Sequence, residues 1–168
     1  MIQIGIDFGG TKIEAAALDE SGGWLTRVRA PNPGGYDAAV RAVCDLVGQV
    51  EQQVGSRGSV GVGTPGSISP TTGVMRNANS LWLNGRAFGA DLAEALGREV
   101  RMANDANCLA LSEAVDGAAA GANIVFALIV GTGCGAGLAI DGRVVEGAHG
   151  VAGEVGHNSL PWRSADEA

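Results

Sequence analysis

Several short runs in this sequence combine residue types suited to phosphate, sugar and proton chemistry. In Asp7-Phe8-Gly9-Gly10-Thr11-Lys12 an apolar, alternating stretch delivers a carboxylate to its end, and a glycine pair follows. Such a turn lets backbone N–H groups face outward and form an anion-binding concavity. Thr11 adds a hydroxyl, Lys12 a positive charge, and Asp7 is suited to holding a phosphate-bound Mg²⁺ through water. The GxxxxGK[ST] spacing of a Walker loop is absent. The same run also reads as a plain Gly-Gly hairpin.

A second Gly-rich turn, Gly131-Thr132-Gly133-Cys134-Gly135, follows the apolar run "IVFALIV". Alone it is equally a hairpin where backbones pass closely. Together, two such turns behind buried strands point to a nucleotide held between two lobes. In "ANDAN" Asp105 stands where a strand gives way to a helix. A sugar hydroxyl is a poor nucleophile, and a carboxylate within hydrogen-bond reach orients it and takes its proton. Asn104 is able to donate to or accept from a neighbouring hydroxyl. Asp also caps helices, and the local pattern alone slightly favours the cap; the two roles are compatible. Glu154 and His157 are three residues apart in "GEVGHN", on one side if the segment is helical. They suit adjacent sugar hydroxyls; a surface loop is the plainer reading of His157, and one imidazole without cysteine partners is not a metal site. His149 has no motif around it and reads as a loop residue.

The elements that must position these residues follow from periodicity. "IQIGIDF", "KIEAAALD" and "WLTRVRAP" predict an antiparallel meander turning at Gly9-Gly10 and Gly22-Gly23. Val40, Val43, Val47, Val50 and Val54 recur in steps of three and four, which predicts one apolar helical stripe, with Asp37 near its positive end. "SVGVGTPG" reads as a short buried strand, residues 67–85 as a long irregular segment, and "AFGADLAEALG" as a helix closed by Gly97. "EVRMAND" then predicts a strand and "ANCLALSEAVDGA" a helix. At residues 117–122 the composition shifts to small residues and the strand–turn–strand pattern restarts. A domain boundary is expected there, giving lobes of residues 1–118 and 119–168.

Composition narrows the classes. Gly accounts for 28 of 168 residues, about double the usual share, which implies many tight turns. The net charge of −7 gives no basic footprint for nucleic acid. No secretory signal opens the chain, and no apolar run reaches bilayer length. Cys44, Cys108 and Cys134 are widely spaced with no CxxC pair, so three reduced, buried thiols and a cytoplasmic location are expected.

"IGIDFGGTK", "GVGTPG", "NANS", "ANDAN", "VGTGCGAGL" and "GEVGH" occur in the order found in the ROK family of bacterial sugar kinases and repressors, which the whole chain resembles. The central stretch through "NANSLWLNG", with "GHNSLPW", is most similar to the fructokinase (manno-fructokinase) branch. The resemblance implies an α/β, actin-like (ribonuclease H-like) fold: an N-terminal lobe plus the start of a C-terminal lobe. It implies ATP and Mg²⁺, with Asp7, Gly9, Gly10, Thr11 and Lys12 as the first phosphate motif and Gly131, Thr132, Gly133, Cys134 and Gly135 as the second. Asp105 would take the proton from a hexose C6 hydroxyl, most simply that of fructose; glucose, mannose and N-acetylhexosamines are the alternatives. Gly66, Asn79, Asn104, Asp105, Glu154 and His157 would line the sugar site. In the family this His also begins a structural Zn²⁺ site, whose cysteine partners lie in a later CxCGxxGC-type run. The chain ends before that run, so it is expected to be cut off inside the second lobe, to turn over weakly or not at all, or to act as a sugar-binding fragment. A repressor is not expected, because the chain begins at the first strand. A homodimer is implied for a longer version, and neither nucleic acid nor membrane is an expected partner.

Overall fold

The computed structural model describes residues 2–130, 134–156 and 158. The chain parts into two compact units, Met1–Asp105 and Ala106–Ala168.

In the first unit, β1 (Gln3–Phe8), β2 (Lys12–Leu18) and β3 (Trp24–Pro31) form the expected meander. After α1 (Tyr36–Val54) come β4 (Ser59–Thr64), a small hairpin of β5 (Ser67–Ile68) and β6 (Met75–Arg76), α2 (Phe88–Leu96) and β7 (Val100–Asn104). The five-stranded sheet has the order β3-β2-β1-β4-β7. β1 pairs antiparallel with β2 and parallel with β4, which in turn pairs parallel with β7. Parallel neighbours require crossover connections, and α1 and α2 supply them. The registers Asp7↔Gly63 and Thr64↔Asn104 bring the C-terminal ends of β1, β4 and β7 to one edge.

Strict alternation in β1 sends Ile4, Ile6 and Phe8 into the core and Gln3, Gly5 and Asp7 to the other face. The valine stripe of α1 meets the core through Val43, Val47 and Val50, joined by Ala39 and Leu46; Val40 and Val54 lie at its margin. Gly55 and Gly97 close α1 and α2 in the left-handed conformation, at φ 71° and 61°. Phe88 stacks edge-on against Phe8 and Tyr36, at centroid distances of 5.1 and 5.8 Å. Residues 67–85 hold more structure than their turn-rich composition implies. Besides β5–β6 there is a 3₁₀ turn at Leu81–Leu83, and buried Met75 and Leu83 anchor the segment to the core.

In the second unit, α3 (Asp105–Val115, its first residue belonging to the first unit) precedes β8 (Ile124–Val130), β9 (Cys134–Ile140) and β10 (Arg143–Val144). The three strands form an antiparallel sheet. The unit division falls before α3 rather than near residue 118, where composition pointed. Packing explains the difference: Ala110 and Ala114 of α3 cluster with Val125, Ala127 and Ala139 of the sheet. The cysteines also differ from expectation. All are free thiols, but Cys44 is half-buried and Cys108 and Cys134 are exposed. The buried face of α3 runs through Ala106, Asn107, Ala110 and Ala114, which turns Cys108 away from it. Among the described residues, no helix is long and apolar enough to cross a membrane.

Candidate active site

The first Gly-rich turn closes as a tight loop between β1 and β2, with the Gly9 N–H donating to the Lys12 carbonyl at 2.9 Å. A Cβ on Gly9 would lie 2.9 Å from that carbonyl oxygen, so the turn needs glycine there, whereas a Cβ on Gly10 would meet open space. Among the described residues, the Gly10 and Thr11 N–H groups have no acceptor. Exposed donors at a strand end form the concavity expected for an anion.

Asp7 projects from the sheet face opposite the helices, directly across from Glu14 in the β1–β2 register. Glu14 is buried and bridges Arg27 and Lys12, the latter at 3.4 Å. Burial raises the Glu14 pKa, but hydrogen bonds from Arg27 and Lys12 outweigh it and hold the group below the usual carboxylate range. Asp7 moves the other way. Although its surface is exposed, partial desolvation comes first, then repulsion from Glu14 and Asp105, and these hold its carboxyl above the ordinary value against the pull of Lys12 and Arg27. Asp7 and Asp105 therefore stand within electrostatic reach of each other at the ends of β1 and β7.

Asp105 is the first residue inside α3 rather than the residue before it, so its carboxylate sits in the positive first turn. Asn104, at the end of β7, donates its side-chain amide to the Gly66 carbonyl at 2.9 Å. Gly66 sits at φ +84°, and a Cβ there would lie 2.6 Å from the Arg76 carbonyl and 2.7 Å from the Ala78 N. Neither the conformation nor the space admits a side chain. Asn79 is exposed beside buried Ala78.

Two residues that sequence reasoning passed over shape these loops. Asn84 pairs with Ala78 like a strand neighbour: its Oδ1 accepts the Ala78 N–H at 2.9 Å, and its Nδ2 donates to the Ala78 carbonyl at 3.1 Å. Asn32 donates its Nδ2 to the Gly9 carbonyl at 2.8 Å. The available signal was Asn beside Pro or Gly, in Asn32-Pro33-Gly34 and Asn84-Gly85, which reads as ordinary turn chemistry.

In the second unit, a Cβ built on Gly135 would approach Glu154 Oε1 to 3.7 Å, so Glu154 lies over the start of β9. Gly156 packs against the Cys134 carbonyl, too closely for any side chain. The described residues around Glu154 form turns, with its N–H donating to the Val151 carbonyl at 3.2 Å, and not the helix that would align Glu154 with His157. Gly131, Thr132, Gly133 and His157 lie outside the described residues, as does most of "GHNSLPW".

Among the described residues, no group of three or more His, Cys, Asp or Glu is placed to hold a metal ion. Cys44, Cys108 and Cys134 belong to no such group, and His157, the residue expected to begin a zinc site, lies outside the described residues. For Mg²⁺ the fit is better: Asp7 offers a hard oxygen beside free N–H donors and Lys12.

The strand order and strand-end carboxylates define an actin-like, ribonuclease H-like α/β protein. The sequence pattern described as "ROK family" matches residues 3–167, and the chain belongs to that family. The N-acetyl-D-glucosamine kinase of Pectobacterium atrosepticum is 43% identical over 163 residues, covering 96% of this chain and 54% of that protein. The enzyme of the same name from Escherichia coli is 42% identical over 158 residues, covering 94% and 52%. Among solved structures, the ROK hexokinase from Thermus thermophilus superposes with a TM-score of 0.83 at 37% identity, covering 96% of this chain and 54% of that one. A ROK family glucokinase from Streptomyces griseus, in complex with glucose and AMPPNP, gives 0.81 at 30% identity, covering 94% and 50%. The chain thus spans about half the length of the relatives it matches.

Proposed function

We propose that this chain forms the phosphate-binding turn and catalytic carboxylate of an ATP-dependent hexose kinase acting on the C6 hydroxyl. The observation that carries the reading is that the ends of β1 and β7, which carry Asp7 and precede Asp105, lie at one edge of the sheet with the Gly9-Gly10-Thr11 turn and its uncommitted N–H groups. Asp105 accepts the proton of the attacking hydroxyl, a task that needs a carboxylate within hydrogen-bond reach of the nucleophile. Gly10 and Thr11 donate to phosphate oxygens, and Lys12, steadied by Glu14, adds positive charge. Asp7 would hold Mg²⁺, which when bound would supply charge neutralisation at the phosphates. Gly66 and Asn104 fix the floor of the sugar site, Asn79 faces it, and Glu154 and His157 supply further hydroxyl contacts. Gly131 to Gly135 form the second phosphate turn.

For the sugar, we rank N-acetyl-D-glucosamine first, because relatives of 42–43% identity carry that name. Fructose, suggested by the central stretch, comes second, ahead of glucose and mannose. A homodimer belongs to the same proposal for a version of the relatives' length.

The test is ADP release with the four sugars, in this chain and in a version extended to the relatives' length. The extended protein should turn over, and Asp105→Asn should lower kcat about 10²–10⁴-fold, the range of general-base catalysis. Sugar affinity should stay unchanged. An ordinary rate in Asp105→Asn removes the base assignment, and robust turnover by the 168-residue chain alone overturns the expectation that it turns over weakly or not at all.

A further inference from the structure

The peptide joining Gly9 to Gly10 is the weak point of the phosphate turn. A peptide unit is planar and trans, so its C=O and N–H point in opposite directions. The Gly10 N–H faces outward only while the Gly9 carbonyl faces inward. Glycine on both sides makes rotation of this unit cheap, because neither residue has a Cβ to resist it. Something other than local sterics must hold it.

Asn32 supplies the hold. The β2–β3 register pairs Lys12 with Pro31, which sets Asn32 beside the turn. Its Nδ2 donates to the Gly9 carbonyl at 2.8 Å, and its backbone N–H donates to the Thr11 carbonyl at 2.9 Å. Its Oδ1 accepts the Gly34 N–H at 3.0 Å. With a carbonyl on one side and an N–H on the other, the amide has one orientation that satisfies both ends. Pro33 restricts the Asn32 backbone to extended conformations, which adds stiffness.

We propose that Asn32 is the positioning residue of the phosphate turn, locking the Gly9–Gly10 peptide so that the Gly10 N–H stays directed at an incoming phosphate. The link to phosphate rests on the kinase reading above; the lock on the peptide does not. Two variants test it in the 168-residue chain. Asn32→Ala removes the side chain, while Asn32→Asp keeps size and the acceptor for Gly34, replaces the donor to Gly9 by a carboxylate oxygen and adds one negative charge.

The readouts are the Gly10 amide resonance, Mg-ATP affinity and hexose affinity. Wild type should give one sharp Gly10 signal that moves with Mg-ATP. Both variants should split or broaden it and weaken Mg-ATP about five-fold or more, the worth of one ordinary hydrogen bond, with hexose affinity unchanged. An unchanged Gly10 signal and unchanged Mg-ATP affinity overturn the proposal. An equal loss of hexose affinity also overturns it, since that reports general damage. A wild-type Gly10 signal that ignores Mg-ATP both in this chain and in the version extended to the relatives' length sinks the kinase reading instead, and the variants' Gly10 signals still decide the lock.

Discussion

In both Met1–Asp105 and Ala106–Ala168 a strand pairs antiparallel with the strand that follows it, β1 with β2 and β8 with β9, but the two units back the pair differently. In the first unit β1 is flanked by β2 and β4, and its Ile4, Ile6 and Phe8 are covered by a core shared with α1 and α2. In the second unit α3 covers one face of β8–β9 and contributes alanines to the contact. The other face shows Ile124, Phe126, Leu128 and Val130 at 50–76% exposure. The hairpin is therefore not the source of stability. What matters is the apolar area its covering layers remove from water, and alanine brings little.

Core deletion should expose this contrast most strongly. Phe88→Ala removes a fully buried ring from the aromatic cluster and should cost about 3–5 kcal/mol in urea unfolding. Phe126→Ala, in the second unit, should stay within about 1 kcal/mol, since half of that ring is already in water. Equal losses would break the comparison.

A glycine pair sharpens it at the level of loops. Gly66→Ala meets both a positive φ and backbone atoms at 2.6–2.9 Å, so it should destabilise by about 2–3 kcal/mol or more and abolish sugar binding by calorimetry. Gly142→Ala in the second unit has a positive φ but nothing within 4 Å, and should cost only about 1 kcal/mol. A smaller change is expected from Phe126→Lys with Leu128→Lys. These should cut binding of an apolar dye and self-association in light scattering, and shift stability by no more than about 0.5 kcal/mol. Undiminished dye binding would move the exposed surface elsewhere.

The smallest effect is a pH response confined to the first unit. Glu14 is held low, so it contributes stability at neutral pH that is lost as pH falls through its folded value, which lies below that of an ordinary glutamate. Asp7 is held high, so it takes up its proton earlier than an ordinary Asp on acidification, and Mg-ATP affinity should weaken before the fold does. Arg27→Met removes the main counter-charge on Glu14. It should move the acid-unfolding midpoint to higher pH; an unmoved midpoint would mean the pair contributes nothing.

By itself the sequence determined the local pieces: the meander, the valine stripe of α1, the glycine stops at Gly97 and in the Gly9–Gly10 turn, and the carboxylate at a strand–helix junction. These rest on side-chain periodicity and on the steric needs of single residues, which neighbours along the chain suffice to reveal. Only the tertiary structure decided that β1, β4 and β7 lie parallel with Asp7 level with Gly63 and Thr64 with Asn104. It also decided that Asn32 clamps the backbone of Gly9 on the far side of the β2–β3 hairpin, and that α3 belongs with β8 and β9. Strand register, long-range hydrogen bonds and face selection are pair properties. They depend on which surfaces meet once apolar area is buried, and no single stretch of sequence contains both partners.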